Sequence, residues 1–340
     1  MAARTRMRGF AFGIVMTAQP PSLTPRESIG VPLVTALIPA YNAQVYLAAC
    51  LASVHAQSGA FQLEVLVVDD GSRDATADVA RQHPGVQCIT QPNRGPSAAR
   101  NTGFAAAKGD FIAFLDADDL WPEGKLEAQL QVLQQHPTAA LVFGDCRQFG
   151  VAGPRPLTEF AVNGLGTQAW GGGGLVPDAY ARLLENNFIT TGSVVVRRAA
   201  LDEAGGFAED LRLAEDLDLW LRIARRHPIA WCPQECLWRR RHDTNISLDA
   251  RAVGTAYLEV LRRHASDWRP GEARALGVDA SRLAAMEELH LAELAMAQGH
   301  AGDTRRHLWR SLKSYPRPAS AWRATKTLMK LGARRLGLLT

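Results

Sequence analysis

Five apolar runs, each halted by a turn and separated from the next by a helical stretch, constrain this chain more than any other feature. The first, Leu33–Ile38, ends at Pro39. The second, Val65–Val68, is stopped by Asp69-Asp70-Gly71-Ser72, and the third is Val86–Thr90. The fourth, Phe111–Leu115, runs into Asp116-Ala117-Asp118-Asp119, and the fifth is Ala139–Phe143. Continuous apolar runs of this length suit strands buried on both faces. Between them, Leu47, Leu51 and Val54 recur at helical spacing, residues 75–83 read as a short helix, Pro96–Ala107 as another, and Pro122 as the opening of a fourth. Such alternation predicts an α/β fold: a mostly parallel central sheet with helices on both faces. Ligands of such sheets bind beyond the carboxyl ends of the strands, which is where the acidic turns fall.

The rest of the chain is organised around that core. With 340 residues and 47% apolar content, one large domain plus an appendage, or two domains, can be buried. Residues 17–31, rich in Pro, Ser and Thr, read as a linker, and 1–31 together as a disordered leader, with Met7 or Met16 as candidate starts. Gly164, Gly166 and Gly171–Gly174 read either as a lid or as a plain flexible connection. Past residue 250 the pattern is helical only, with Gly299–Asp303 as the turn of a helical hairpin. The net charge of +4 is uneven: residues 301–340 hold ten Lys/Arg and one acid, Asp303, so the main body is net negative. The five cysteines read as scattered core residues in a reducing cytosol, and Cys232 and Cys236 lack the second pair that a zinc site needs. No apolar run reaches the roughly 18 residues of a membrane-spanning helix.

Four clusters carry chemistry. Asp69, Asp70 and Asp74 can accept from a nucleoside base or ribose, or cap the helix after Gly71. Asp116, Asp118 and Asp119 repel one another unless something positive sits among them; a hard divalent cation such as Mg²⁺ or Mn²⁺, shared with substrate phosphates, does that with oxygen ligands. Glu215-Asp216-Leu217-Asp218 lies in a helical context where Asp216 and Asp218 cannot share a face. One of these acids can serve as a general base, or all can be first-turn acids favoured by the helix dipole. Arg239-Arg240-Arg241-His242 can grip a diphosphate and a metal, or form a solvated face.

The order of these clusters resembles the family-two glycosyltransferases of the GT-A fold. The resemblance also takes in Ile38-Pro39-Ala40-Tyr41-Asn42, Gln91-Pro92-Asn93-Arg94-Gly95, Ser97-Ala98-Ala99-Arg100-Asn101-Thr102-Gly103 and Leu219-Trp220-Leu221-Arg222, across roughly residues 33–245. It implies a GT-A catalytic domain over 32–248 and a helical C-terminal extension over 249–340. It implies a donor pocket lined by Pro39, Ala40, Tyr41 and Asn42, with Asp69 or Asp70 reading uracil and Asn93, Gly95 and Arg100 on the nucleotide side. Asp116, Ala117 and Asp118 match the Asp-X-Asp motif, the first acid toward ribose and Asp118 toward Mg²⁺ or Mn²⁺. His242 matches a further metal or phosphate ligand, and Asp216 a catalytic base. Trp121, Thr191 and Glu215 fall where such relatives meet the acceptor, although Trp121 can equally pack under the sheet.

The implied reaction is an inverting transfer of sugar from a nucleotide-sugar donor, UDP-linked, to the hydroxyl of a glycan or lipid-linked acceptor in surface polysaccharide assembly. The rival readings are a nucleotidyltransferase, which wants an early Gly-rich loop and lysine that Ala40–Gln44 does not offer, and an inactive sugar-nucleotide-binding scaffold. Arg323, Lys326, Lys330 and Arg334 make a basic helical face, suited to an anionic membrane at the cytoplasmic side or to packing on the main domain. No nucleic-acid reader motif is present.

Overall fold

In the computed structural model of the protein, residues 30–242 and 250–315 are described. The first four apolar runs form successive strand–helix units: β1 (Leu33–Ala40), α1 (Leu47–His55), β2 (Gln62–Asp69), α2 (Thr76–Gln82), β3 (Val86–Thr90), α3 (Pro96–Ala106), β4 (Phe111–Phe114) and α4 (Lys125–Gln135). β1 pairs in parallel with β2 and β4, and β2 with β3. Alternation along the strands splits the core between two faces. Val34, Ala36 and Ile38 pack with Leu47 and Leu51 of α1 and Leu126 of α4. Leu37 and Leu66 face the opposite layer with Phe114 and Trp220. Each of the Val, Leu, Ile and Phe side chains among these contributes about 1.5–3 kcal/mol by leaving water. α4 begins three residues later than Pro122 suggested, because Gly124 takes a left-handed conformation (φ 74°) and closes a turn first.

Beyond β4 the chain continues through β5 (Leu141–Gly150), β6 (Gly153–Pro154), α5 (Glu159–Asn163), α6 (Thr167–Trp170), β7 (Gly174–Leu175), α7 (Ala179–Glu185), a 3₁₀ turn at Thr191–Ser193, β8 (Val195–Arg197), α8 (Arg198–Ala204), α9 (Glu215–Ala224) and β9 (Ala230–Arg240). The sheet order is β3-β2-β1-β4-β8-β5-β9-β7, with β6 on β5. The sheet is therefore parallel on one side and mixed on the other. The fifth run does not lie beside the fourth: β8 sits between them, antiparallel to both. Val195 and Val196 fill that slot, and the buried Arg197 guanidinium donates to Ala139 O and Leu133 O, satisfying carbonyls at the end of α4 and the start of β5.

β9 went unread because Pro233, Glu235, Arg239 and Arg240 interrupt its apolar pattern. The glycine-rich stretch is likewise held. Trp170 packs edge-on against Phe143, Phe160 and Trp231, and Gly174 pairs with Trp231 on β9.

The C-terminal region is helical: α10 (Ala250–Ser266), α11 (Glu272–Ala275), α12 (Ala280–Ala297) and α13 (Ala301–Ser314). α10 joins the main core through Tyr257, Val260 and Leu261, and the Tyr257 hydroxyl donates to Leu184 O at 2.8 Å. α12 and α13 form the expected hairpin around Leu289, Ala292 and Leu308. No helix among the described residues is long and apolar enough to cross a membrane. The basic face at 323–334, residues 1–29 of the leader and the boundary at 248/249 lie outside the described residues.

Candidate active site

The ends of β1, β2 and β3 are stitched together by polar turns. Asn42, at φ 49°, accepts from Arg73 N with its side chain and donates its own N–H to Ser72 Oγ, each at 2.9 Å. Ala43 N donates to Thr76 Oγ1 at 2.8 Å. These bonds fix the Pro39–Asn42 segment against the turn that carries Asp69 and Asp70, leaving Tyr41 half exposed at its tip. Asp70 is buried and accepts from Gln91 Nε2 (2.7 Å), Arg94 N (3.0 Å) and Gly95 N (2.8 Å). It therefore anchors the 91–95 loop, with most of its acceptor capacity used. Asp69, also buried, accepts from Ser72 N at 3.3 Å. Gly71 is required where these turns meet: a Cβ there would lie 2.8 Å from Asn93 N, and its φ is 74°.

The acids after β4 are held from the far end of the chain. Arg240 N donates to Asp119 Oδ1 at 2.7 Å and Arg240 Nε to Asp118 O at 2.8 Å. The guanidinium lies between the rings of Tyr46 (5.1 Å) and Phe149 (4.5 Å). His242 stacks on the other partner of this arrangement, Tyr46, at 5.1 Å, and its Nε2 lies 2.8 Å from Asp118 Oδ2. Burial, then the charges of neighbouring Asp116 and Asp118, pushes the Asp119 carboxyl well above the usual carboxylate range. Asp118 is pushed up for the same reasons, burial and then Asp116. Ala117 is buried between them.

Arg100 joins this acidic turn to the second half of the site. From α3 its Nη2 donates to Asp116 Oδ1 and its Nη1 to Glu215 Oε1, both at 2.8 Å, with the guanidinium 5.1 Å from the Phe207 ring. Burial opposes the charge on Arg100, but Asp116 and Glu215 outweigh it and hold the group protonated. Two nitrogens of the guanidinium thus serve carboxylates, so that Arg100 links Asp116 to Glu215 across the site.

Asp216 opens α9 after Ala214, which adopts φ 59°. Its carboxylate accepts from Leu217 N (2.7 Å) and Thr191 Oγ1 (3.1 Å), with a longer contact to Asn187 Nδ2 (3.5 Å). Burial, then the adjacent charge of Glu215, pushes this carboxyl up to about 6. Asp218 points elsewhere, as the helical spacing required. It is paired with Arg222 and lies 3.2 Å from His264 Nε2, and although burial opposes it, these partners hold its carboxyl low. Trp121 packs under the sheet rather than facing an acceptor: it is 3% exposed, and its Nε1 donates to Gly192 O at 2.9 Å. Sequence reasoning missed Tyr46, Arg240 as a clamp, and Asn187. Arg240 alone left a signal, two residues before His242 on a strand.

Residues 35–205, half of the chain, match Glycosyl transferase family 2. The chain is 29% identical over 246 residues to a Bacillus subtilis protein named as a teichuronic acid biosynthesis glycosyltransferase, TuaG, covering 68% of this chain and 90% of that one. It is 29% identical over 222 residues to the chondroitin synthase of Escherichia coli, covering 64% of this chain and 30% of that one. Several other curated relatives are matched over less than half of their length. Among solved structures, a mannosyltransferase of Pyrobaculum calidifontis in complex with GDP-Man and Mn²⁺ superposes with a TM-score of 0.61 at 20% identity, covering 92% of this chain and 84% of that one. Staphylococcus aureus TarS 1-349 in complex with UDP-GlcNAc superposes with a TM-score of 0.54 at 19% identity, covering 90% and 92%. These structural likenesses speak to the fold.

Proposed function

The chain belongs to glycosyl transferase family 2 and is a glycosyltransferase of the GT-A fold; from that premise we propose that it moves a sugar from a UDP-linked donor to an acceptor hydroxyl with inversion, in the assembly of a surface polysaccharide or glycoconjugate. The observation that carries this reading is the buried link from Asp116 through Arg100 to Glu215, which sets a donor-side acid and the neighbour of a raised-pKa carboxyl, Asp216, on one guanidinium. Asp216 is the general base. It takes the acceptor's hydroxyl proton as that oxygen attacks the anomeric carbon, and attack opposite the leaving diphosphate inverts the centre. Thr191, and at longer range Asn187, orient the carboxylate. The UDP assignment and the polysaccharide setting draw on the names of TarS with its bound UDP-GlcNAc and of TuaG.

The stitched turns at Pro39–Asn42, Asp69, Asn93 and Gly95 form the floor for the nucleoside, with Asp69 the better reader of the base, because Asp70 is occupied by the 91–95 loop. Asp118 and His242 suit a divalent metal. One carboxylate and one imidazole, in contact and both partly exposed, are an oxygen–nitrogen pair of the kind that Mn²⁺ or Mg²⁺ shares with diphosphate oxygens. No group of three or more His, Cys, Asp or Glu side chains among the described residues is placed to hold a metal. When bound, the cation offsets charge on the diphosphate. Manganese with UDP is expected to raise the melting temperature of the protein by several degrees, and Asp118→Ala to remove that increment while leaving the ligand-free melting temperature close to wild type. An undiminished increment in the variant would end the metal assignment.

We also place the enzyme at the cytoplasmic face of an anionic membrane. α13 exposes Trp309 (64%) alongside Arg305, Arg306, Arg310 and Lys313, an interfacial aromatic within a basic face. Flotation with vesicles containing phosphatidylserine should carry the protein upward at low salt. Retention of binding after Trp309→Ser combined with Arg305→Glu and Arg310→Glu would exclude this face.

A further inference from the structure

Two consecutive residues of α3, Arg100 and Asn101, hold one later segment of the chain by its two ends. Arg100 reaches Glu215, the first residue of α9. Asn101 reaches Phe207, just past the corner that follows α8. Its Nδ2 donates to Phe207 O at 2.9 Å, and Phe207 N donates to its Oδ1 at 2.8 Å. One carboxamide thus serves both backbone groups of one residue, as a neighbouring strand would. Phe207 is buried, so these groups have little water to turn to if the carboxamide is removed. The second N–H of Asn101 goes to Glu209 Oε1 at 3.1 Å. Gly206, at φ 77°, makes room for this grip: a Cβ there would lie 2.7 Å from Asn101 Oδ1. Arg222 of α9 closes the same corner from the other side, its Nη2 donating to Gly206 O at 2.8 Å.

Between these two grips, residues 208–214 belong to no helix or strand. Ala214, the last of them, takes φ 59°, a conformation that a residue with a Cβ keeps only where its surroundings over-determine it. Here the flanks supply that constraint, Asn101 at Phe207 and Arg100 at Glu215. The grips also share a side chain, because the Phe207 ring lies 5.1 Å from the Arg100 guanidinium. Glu209 adds an ion pair with Arg94 at 2.7 Å, but both side chains are largely exposed, and such pairs contribute little. The hold at this end therefore lies in the two bonds to the backbone of Phe207.

We propose that Asn101 is a positioning residue for sugar transfer, fixing through Phe207 the segment that sets Asp216 in place at the opening of α9, a role that rests on Asp216 being the general base. Asn101 does not touch Asp216, whose own partners are Leu217 N, Thr191 and Asn187. It governs where the carboxylate stands, and not what the carboxylate can do. With Phe207 released, Ala214 is free to relax, and Asp216, two residues on, moves with it. Misplacement of a reacting group by about 1 Å costs about 10²-fold in rate. The donor side is held independently. Asp70 anchors the 91–95 loop through Gln91 Nε2, Arg94 N and Gly95 N, none of which depends on Asn101. Loss of the carboxamide should therefore fall on turnover and spare donor binding.

The test uses the full-length protein. Turnover is read as UDP release from a UDP-sugar that the wild type cleaves, and donor-side binding as the rise in melting temperature given by manganese with UDP. Asn101→Ala is expected to lower kcat about 10–100-fold, with the donor KM and the melting increment unchanged. Asn101→Asp, equal in size, still accepts from Phe207 N but cannot donate to Phe207 O. It should show the same split, and it decides the matter if the alanine variant does not fold. In an Asp216→Asn background, Asn101→Ala should lower the residual turnover no further, because the group it positions is already disabled. A merely structural role would lower both backgrounds alike. Glu209→Ala, which cuts only the surface pair and the longer bond, should turn over like the wild type. Wild-type kcat in Asn101→Ala beside a disabled Asp216→Asn would remove the Asn101 role alone. Equal losses in the two backgrounds, or a loss in Glu209→Ala matching that of Asn101→Ala, would do the same. Full turnover in Asp216→Asn would instead remove the base assignment, and the role of Asn101 with it.

Discussion

Asp216→Asn is expected to lower kcat by about 10²–10⁴-fold, equivalent to about 3–5.5 kcal/mol of lost transition-state stabilisation, with donor affinity almost unchanged. The amide keeps the carboxylate's shape, and its oxygen can still accept from Thr191 Oγ1 or Leu217 N, so the fold around it has no reason to move. What it loses is the ability to take a proton. The same assignment fixes the direction of the pH profile. Asp216 works only when ionised, and burial with the neighbouring Glu215 charge places its carboxyl at about 6. Activity should therefore be full above that value and fall as pH drops through it. Glu215→Gln removes the repelling charge and should move this acidic limb to lower pH, a displacement that a merely structural role for Asp216 would not produce. Full turnover in the purified Asn variant, measured as UDP release with acceptor present, would rule Asp216 out as the base.

Arg100→Met is expected to be the most destabilising single change in the site. Removing one partner of a buried ion pair leaves the others uncompensated, at about 3–5 kcal/mol. Asp116 is partly exposed and recovers some hydration, so about 2–4 kcal/mol is the expected loss, carried mainly by Glu215. Lysine should rescue poorly, because a single ammonium cannot donate along two diverging directions as the guanidinium fork does. Urea denaturation of Arg100→Met, Glu215→Gln and the double variant forms a cycle in which the second change recovers part of the loss. Strict additivity would mean that the two side chains do not interact in solution.

Much of this was legible in the chain itself, for identifiable reasons. Leu33–Ile38, Val65–Val68 and Phe111–Leu115 are buried on both faces, so their strands appear as uninterrupted apolar runs, and the acids that follow them mark the ligand side of the sheet. β8 and β9 were not legible. A three-residue strand is too short for periodicity to register, and β9 carries proline, a bulge and arginines that resemble a solvated face. The acids of the site could be found because carboxylates in series are conspicuous. Their partners could not. Whether Arg100 faces a phosphate or two carboxylates depends on where residue 215 arrives, 115 positions further on. Nothing local to Tyr46 announces that its ring will lie between Arg240 and His242.

The clamp made by Arg240 also bears on how the molecule is built. Synthesis proceeds from the amino end, and Asp116, Asp118 and Asp119 leave the ribosome more than a hundred residues ahead of the strand that grips them. During that interval Asp116 already has Arg100 within the emerged chain, whereas the bonds that hold Asp118 and Asp119 wait for β9. The donor half is therefore the earliest part of the fold to be written and among the last to be finished, since its final fastening is the closing strand of the sheet.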